Sequence, residues 1–289
     1  MKQAIVIALS ASAVVLTACG GSPVHQSGGP GSTAGVAPGS TVATTSSRVA
    51  PPSQAAGYHL VFSDDFDSQS LSPNGSGSGY NWYNPGIFWD AAAPYSNISV
   101  SNSTLNLTWK QGQGSSTTSI ATASQSGANY KAWTFGYFEA RFAWDPVTGS
   151  WPAFWLVPVE GYSGQHPQGE FDIMEGQGAY PNHVYFHLHI WNSGGSDSGP
   201  AGYDYTVPSG VDLSQPHTYG LLWTQGHVSW YFDNQLVYSV TYNNSTMDSQ
   251  HYYIILGTQE GANWSYGNTS GVTATSIPMH VDWVHVFQP

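Results

Sequence analysis

The hydrophobic and polar positions of this chain alternate in short runs, which is typical of β-strands with one face in a core and the other toward solvent. The clearest alternating runs are residues 103–109, 135–144, 183–191, 227–240 and 277–287. The run at 227–240 has Asp233 and Asn234 at its centre and predicts two strands around a turn. No run predicts an amphipathic helix of three turns. Short strands between Gly- and Pro-rich turns favour an all-β sandwich or barrel.

The pattern changes twice along the chain and predicts three parts. Residues 1–18 have one Lys before an apolar stretch, which predicts a secretory signal that is too short to span a membrane. Residues 19–56 are mostly Gly, Ser, Thr, Ala, Pro and Val, so we expect a flexible tether. Residues 57–289 begin with a strand pattern at 58–62 and are expected to form one domain.

The composition narrows the kinds of molecule that the protein can be expected to bind. Lys and Arg total 5 and the formal net charge is −12, so nucleic acid and other polyanions are disfavoured. Aromatic residues make up 14% of the chain and charged residues only 8%. This balance suits a neutral, hydroxyl-rich ligand whose sugar rings stack on Trp. The alternative is a core built from aromatic side chains, and most of the 12 Trp are expected to serve it.

One predicted strand carries three acids, Glu170, Asp172 and Glu175, in the stretch QGEFDIMEGQG. Alternate side chains of a strand share a face, so the first two acids share one. Strict alternation would turn Glu175 into the core, where an unpaired carboxylate costs several kcal/mol. A β-bulge at Met174 would return it to the face of the other two. The uneven spacing therefore predicts a bulge and one cluster of three carboxylates.

Two carboxylates of unequal pKa on one surface suit glycoside hydrolysis, with one as nucleophile or base and the other as proton donor. Retaining enzymes hold them about 5–5.5 Å apart and inverting enzymes about 6.5–9.5 Å apart. Because five residues of flat strand span roughly 17 Å, curvature and the bulge must bring the side chains together. Shared charge in such a cluster is expected to raise the pKa of at least one member.

The stretches GSWPAFWLVP (149–158) and GEFDIMEGQG (169–178) resemble glycoside hydrolase family 16, in the branch with an E-x-D-x-x-E strand. The resemblance extends upstream to 135–144 and downstream to the closing strand, and so covers most of residues 57–289. It implies a concanavalin-like jelly-roll β-sandwich with a concave cleft. It also implies endo-acting, retaining hydrolysis of β-linked glucans or galactans that needs no cofactor for its chemistry.

The resemblance also assigns roles to residues. It implies that Glu170 is the nucleophile, Asp172 an assisting acid, Glu175 the acid/base, and His189 a cleft residue on the next strand. As a zinc pair, His187 and His189 have no third ligand nearby in the sequence and no Cys, which disfavours a metal site.

Four further residues are candidates for substrate binding. Trp151 and Trp155 match the cleft tryptophans of the family, although core packing is their alternative. Trp133 is a weaker candidate. Arg141 shares a strand face with Glu139, so an ion pair between them is as plausible as a contact with substrate.

Two further predictions concern a calcium ion and a membrane anchor. The acidic stretch at 63–67, together with Asp282 on the last strand, resembles a structural calcium site of the family; a solvated acidic turn is the alternative. Residues 16–19 resemble a lipobox, which implies cleavage before Cys19 and its lipidation, with an ordinary signal peptide as the alternative. Cys19 is the single cysteine of the chain, so no disulfide is expected.

The sequence thus predicts an exported, lipid-anchored, monomeric endo-β-glucanase acting on β-1,3-glucan or, second, mixed-linkage β-1,3-1,4-glucan. A transglycosylase, an agarase-type galactan hydrolase and a non-catalytic glycan-binding sandwich are the alternatives. Residues 79–97 do not match the cleft segment of laminarinases, so the exact glucan stays open.

Overall fold

The computed structural model describes residues 49–86, 91–163, 169–192, 195–200, 202–262, 265–266 and 272–289. The predicted signal peptide, Cys19 and most of the predicted tether lie outside the described residues, as do residues 87–90 of the segment that departs from laminarinases. Residues 49–289 form one compact unit. Among the described residues, no helix has the length and apolar character needed to cross a membrane.

The compact unit begins before the predicted domain boundary at residue 57. A short 3-10 helix, Ser53–Ala55, lies against the sandwich. Ala55 is fully buried, and Gln54 Nε2 donates a hydrogen bond to Tyr137 Oη at 2.7 Å. Residues 49–56 therefore belong to the folded unit and not to the predicted tether.

The described residues contain fifteen β-strands. In chain order they are β1 (His59–Asp64), β2 (Ile98–Ser101), β3 (Thr104–Lys110), β4 (Thr117–Ala121), β5 (Gly136–Trp144), β6 (Ser150–Pro158), β7 (Glu170–Glu175), β8 (His183–His189), β9 (Tyr203–Thr206), β10 (His217–Thr224), β11 (His227–Phe232), β12 (Gln235–Thr241), β13 (Tyr252–Ala262), β14 (Ser265–Tyr266) and β15 (Ser276–Gln288). Besides Ser53–Ala55, three short 3-10 helices connect them: Tyr95–Asn97, Val159–Ser163 and Met247–Ser249.

The strands form two antiparallel sheets. An eight-stranded sheet has the order β12-β11-β10-β5-β15-β3-β2, with β1 paired to β15. A seven-stranded sheet has the order β14-β13-β6-β7-β8-β9, with β4 paired to β13. The predicted all-β sandwich is confirmed, and the acid strand β7 lies inside the seven-stranded sheet between β6 and β8.

The alternating runs of the sequence correspond to β3, β5, β8, the β11–β12 hairpin and β15. In the hairpin, Asp233 and Asn234 have φ values of 46° and 62°. Two successive positive φ values are those of a type I′ turn, whose twist matches that of antiparallel strands. The predicted turn is therefore confirmed, because Asp and Asn tolerate this backbone region better than other non-glycine residues.

The main core lies between the sheets and is rich in aromatic rings. Phe171 of β7 packs against Trp223 and Tyr252, with ring centroids 4.9 Å apart in both pairs. Trp82, Trp144 and Trp230 are also almost fully buried in this core, as expected for part of the tryptophans. A fully buried large apolar side chain contributes roughly 1.5–3 kcal/mol, so this packing fixes β7 from beneath.

Candidate active site

A β-bulge brings the three acids of β7 to one face of the seven-stranded sheet. The register against β6 shifts between Phe154 and Trp155, so that Phe154 lies opposite Met174 and Ile173 has no partner on β6. Ile173 and Met174 are both fully buried in the main core. Glu175 thus returns to the outer face, as predicted, although the unpaired residue is Ile173 and not Met174.

Glu170 is held by a tryptophan that the sequence analysis did not assign to the site. Trp191 Nε1 donates a hydrogen bond to Glu170 Oε2 at 2.8 Å. Burial, and next the charge of Asp172, raise the pKa of Glu170 to about 7, while the Trp191 bond opposes the rise. Trp191 lies just beyond β8, and the alternation that includes His187 and His189 was the signal that could have found it.

Glu175 has a matching partner on the other side of the cluster. Trp151 Nε1 donates a hydrogen bond to Glu175 Oε1 at 2.8 Å. Burial, and next the charge of Asp172, raise the pKa of Glu175 well above its ordinary value. Trp151 therefore lies at the acid strand as expected, where its indole N–H contacts the carboxylate.

Asp172 is the buried centre of the cluster, with a side chain only 6% exposed. His189 Nε2 lies 3.2 Å from Asp172 Oδ2, and His189 Nδ1 lies 2.7 Å from Asp197 Oδ2. Burial disfavours the charged ring, but Asp172, Glu170 and Asp197 outweigh it and raise the pKa of His189 to about 10. His189 is thus an imidazolium at neutral pH, and Asp197 is a second member of the site that the sequence analysis missed.

Asp172, His187 and His189 lie close enough together to be considered as ligands of one metal ion. Ligand atoms of Asp172, His187 and His189 lie within 4.8 Å of one another, so the structure supplies the third ligand that the sequence lacked nearby. The donor set nevertheless fits a cation poorly. Both ring nitrogens of His189 face carboxylate oxygens, and a ring that donates from both has no lone pair for a metal.

Trp155 also lies on the acid face. It is opposite Asp172 in the β6–β7 ladder and packs beside Tyr253 and Ile255 in a small apolar cluster on the outer side of the sheet. Trp133 does not join this site. Its ring packs against Phe62 and, more loosely, Phe138 at centroid distances of 5.3 and 6.1 Å, so it serves the core.

The structure places two further candidates away from the acid strand: Arg141, considered for a substrate contact or an ion pair, and Asp282, considered for a calcium site. They lie on β5 and β15 of the other sheet and form an ion pair with each other. Asp282 lies at a register shift between Val281 and Trp283, which brings its carboxylate to the guanidinium. Arg141 is therefore remote from the acid strand, and the guanidinium beside Asp282 leaves an unfavourable place for a calcium ion.

The sequence model of the glycosyl hydrolases family 16 matches residues 89–285, which is well over half of the chain. The chain belongs to this family. The match includes β7, β8 and Asp197. The three acids that carry the resemblance to this family, Glu170, Asp172 and Glu175, all lie within the described residues.

The family 16 chain is similar to enzymes of several bacteria. It is 26% identical over 251 residues to a beta-glucanase of Rhodothermus marinus, covering 80% of this chain and 85% of that protein. It is 27% identical over 169 residues to glucan endo-1,3-beta-glucosidase A1 of Niallia circulans, covering 53% of this chain and 24% of that protein. The chain thus spans about a quarter of the length of the Niallia relative.

A solved structure shows the same architecture. The laminarinase catalytic domain of Thermotoga maritima MSB8 superimposes with a TM-score of 0.60 at 21% identity, over 80% of this chain and 98% of that chain. At this identity the likeness concerns the fold alone. Together with the two antiparallel sheets, it confirms the predicted jelly-roll sandwich.

Proposed function

We propose that the protein is an endo-acting, retaining glycoside hydrolase that cleaves β-linked glucan. The observation that carries the proposal is the pair Glu170 and Glu175 on one face of the bulged strand, each bound by an indole N–H. The pKa of Glu170 is about 7 and that of Glu175 is raised well above its ordinary value. One carboxyl can therefore be ionised while the other still holds a proton, as double displacement requires.

In the first step, ionised Glu170 attacks the anomeric carbon of the sugar. The bond from that carbon to the leaving oxygen breaks, and protonated Glu175 gives its proton to this oxygen. In the second step, Glu175 takes a proton from water, whose oxygen attacks the same carbon and releases Glu170 as a carboxylate. Two inversions leave the configuration retained. Asp172, with His189 beside it, lies between the two glutamates on the strand, and its charge adds to the effect of burial in raising the pKa values of both.

β-1,3-Glucan is the first choice of substrate, supported by the similarity to glucan endo-1,3-beta-glucosidase A1 of Niallia circulans. Mixed-linkage β-1,3-1,4-glucan is the second choice. Sulfated galactans fit poorly, because residues 57–289 contain three Lys or Arg side chains. Of these, Arg141 pairs with Asp282, and Lys131 Nζ donates to the backbone oxygen of Tyr80 at 2.8 Å. Sulfate groups would therefore meet little positive charge.

The test is reducing-end release from laminarin, lichenan, agarose and κ-carrageenan, with the anomer of the first product read by proton NMR. We expect release from laminarin with the β-anomer first. Glu170→Gln is the matched negative control. Release from agarose alone would replace the glucan assignment, and sugar-to-sugar transfer at high acceptor concentration would favour the transglycosylase. Binding of laminarin without any release would favour the non-catalytic module.

We further propose that the protein is exported, cut before Cys19 and held at the cell envelope as a monomer by a lipid on that cysteine. The support is the lipobox-like sequence at residues 16–19. Metabolic labelling with a fatty acid should mark the full-length chain and not Cys19→Ala, which should move to the soluble fraction. Equal labelling of both chains would contradict the anchor.

A further inference from the structure

Asp197 is fixed to the end of β8 by the chain that follows the strand. Its Oδ1 accepts hydrogen bonds from the backbone N–H groups of Ile190 at 3.0 Å and Gly199 at 2.8 Å. Trp191 and Asp197 also form an antiparallel bridge, and the N–H of Ser198 donates to the carbonyl oxygen of Ile190 at 2.8 Å. One carboxylate oxygen is thereby occupied by the backbone, and Oδ2 is left facing the histidines of β8.

The return of this segment to β8 depends on glycine. A Cβ atom at Gly199 would lie 2.1 Å from the carbonyl oxygen of Leu188. One at Gly202 would lie 2.8 Å from Nδ1 of His187. A Cβ atom does not come this close to another atom unless something shifts. Glycine at both positions therefore allows the segment to lie directly against β8. The close approach brings Asp197 to the rings of β8.

The contacts of His189 favour a ring that carries a proton on both nitrogens. Nδ1 is hydrogen-bonded to Asp197 Oδ2 at 2.7 Å, and Nε2 lies 3.2 Å from Asp172 Oδ2, within ion-pair distance. An ionised carboxylate accepts and does not donate, so two such neighbours are best matched when each ring nitrogen carries a proton. The ring is held between His187 and Trp191, with centroid distances of 3.7 and 5.0 Å, which restrains it from turning away.

We propose that Asp197 is a positioning residue of the active site: it orients His189 as a donor to Asp172 and so holds one positive charge between Glu170 and Glu175. The proposal deepens the proposed function and rests on it. The Lys and Arg side chains of residues 57–289 lie elsewhere, so this imidazolium is the cation of the cluster within the described residues. The titratable groups around it are Glu170, Asp172 and Glu175 of β7, His187 of β8 and Asp197; Tyr253 of β13 lies near Glu170.

The charge has a direct consequence for the two glutamates. The positive charge of His189 lowers the pKa of Glu170 and of Glu175, opposing burial and Asp172. Burial tends to raise the pKa of Asp197, but the N–H of Gly199 and the ring of His189 outweigh it and lower it, so this acid is ionised at neutral pH. Without Asp197, His189 would lose its proton at lower pH, and Glu170 would lose the neighbouring negative charge that raises its pKa.

The experiment compares Asp197→Asn with Asp204→Asn in the full chain. An Asn oxygen still accepts from the backbone N–H groups of Ile190 and Gly199, so D197N keeps the fold while it loses the charge. Asp204 provides the matched control, because its Oδ1 forms a similar pair with His183 Nδ1 at 2.6 Å at the edge of the same sheet. The readouts are the imidazole ¹⁵N NMR titration of His189, assigned with His189→Gln, and the pH profile of kcat/KM on laminarin.

In the wild type, both nitrogens of His189 should be protonated at pH 7. In D197N we expect the His189 titration, which lies near pH 10 in the wild type, to fall by about one to three pH units. Because the ring is then no longer held in place, kcat/KM should drop about 10- to 100-fold. D204N should leave both readouts unchanged. A His189 titration that is the same in D197N and wild type would overturn the proposal, as would an unchanged kcat/KM. The NMR result stands even if laminarin is not the substrate, so the two failures are distinguishable.

Discussion

The two sheets each carry a histidine stacked flat on a tryptophan two residues away. In the seven-stranded sheet, His189 lies on Trp191 with centroids 5.0 Å apart and an interplanar angle of 11°. In the eight-stranded sheet, His285 lies on Trp283 at 4.3 Å and 7°. Both rings face two carboxylates. The same local motif thus occurs twice, and the surroundings decide what each can do.

The cluster around His285 is called the covered cluster here because its ring and Glu139 are buried, although Asp65 is half exposed; it is nearly balanced in charge. His285 Nε2 lies 2.8 Å from Asp65 Oδ1, and Nδ1 lies 3.6 Å from Glu139 Oε1, which is too far for a good hydrogen bond. The ring itself is only 4% exposed. The neighbouring Arg141 on the same strand as Glu139 takes its own partner, Asp282. These acids therefore have cations, and the cluster is structural.

The cluster around His189 has acids in excess. Asp172 and Asp197 lie beside the imidazole ring of His189. Glu170 and Glu175 accept hydrogen bonds from neutral indole N–H groups instead. Both of these glutamates reach solvent and have raised pKa values. The comparison teaches that a histidine among carboxylates does not by itself mark an active site. What marks the active site is the surplus of partly exposed carboxyl groups over cations.

The largest difference between the clusters should appear on replacing one Glu in each. Glu170→Gln and Glu175→Gln remove the nucleophile and the proton donor, so kcat on laminarin should fall by about 10²- to 10⁴-fold. Glu139→Gln makes the same change in the covered cluster and should keep kcat within about twofold of the wild type. Initial rates at saturating laminarin measure this. Comparable losses in E139Q and E170Q would show that the clusters do not differ in function.

A smaller difference is expected from the stacked tryptophans. Glu170 must be ionised to attack, so kcat/KM should be lost as pH falls through about 7 in the wild type. Trp191→Phe keeps a ring on His189 and removes the N–H that lowers the Glu170 pKa, so the acidic limb should move up by about one pH unit. Trp283→Phe should leave the profile in place. An unmoved limb in W191F would separate Trp191 from the chemistry.

The smallest effect concerns stability, and its sign should be opposite in the two clusters. The folded-state pKa of Glu175 is raised, so the folded state loses stability as pH rises above the unfolded value of about 4.3. Glu175→Gln should therefore be more stable than the wild type at pH 8, by about 1 kcal/mol, or roughly 2–4 °C in Tm. At pH 4 the difference should vanish.

In the covered cluster the shift works the other way. Burial opposes protonation of His285, but Glu139 and Asp65 outweigh it and raise the pKa. The stability this gives is fully present below the unfolded value of about 6.5 and is lost as pH rises through the folded pKa. Glu139→Gln should thus cost about 1 kcal/mol at pH 6 and less at high pH. Thermal unfolding of both variants from pH 4 to 9 tests this contrast. It would be refuted if the Tm change of E139Q at pH 6 had the same sign as the Tm change of E175Q at pH 8.

Much of the site could be predicted from local sequence. Alternation placed Glu170 and Asp172 on one face, and the uneven spacing indicated the bulge that returns Glu175 to them. Trp191 continues the alternation of β8 and could have been found from it, whereas Asp197 could not be predicted, since its place depends on how the chain folds back after β8. Arg141 shows the opposite case. Alternation favoured Glu139 as its partner, whereas a register shift in β15 brings Asp282 to it instead.

By itself, the sequence determined the strand pattern, the class of fold and the three acids, because alternation and spacing act through neighbours along the chain. Only the tertiary structure decided which acids share a cation, which tryptophans donate to them and which candidates lie in the other sheet. Charge and burial act through space between residues far apart in sequence. The pKa values of Glu170 and Glu175 belong to this second group, because burial and the charges of Asp172 and His189 set them.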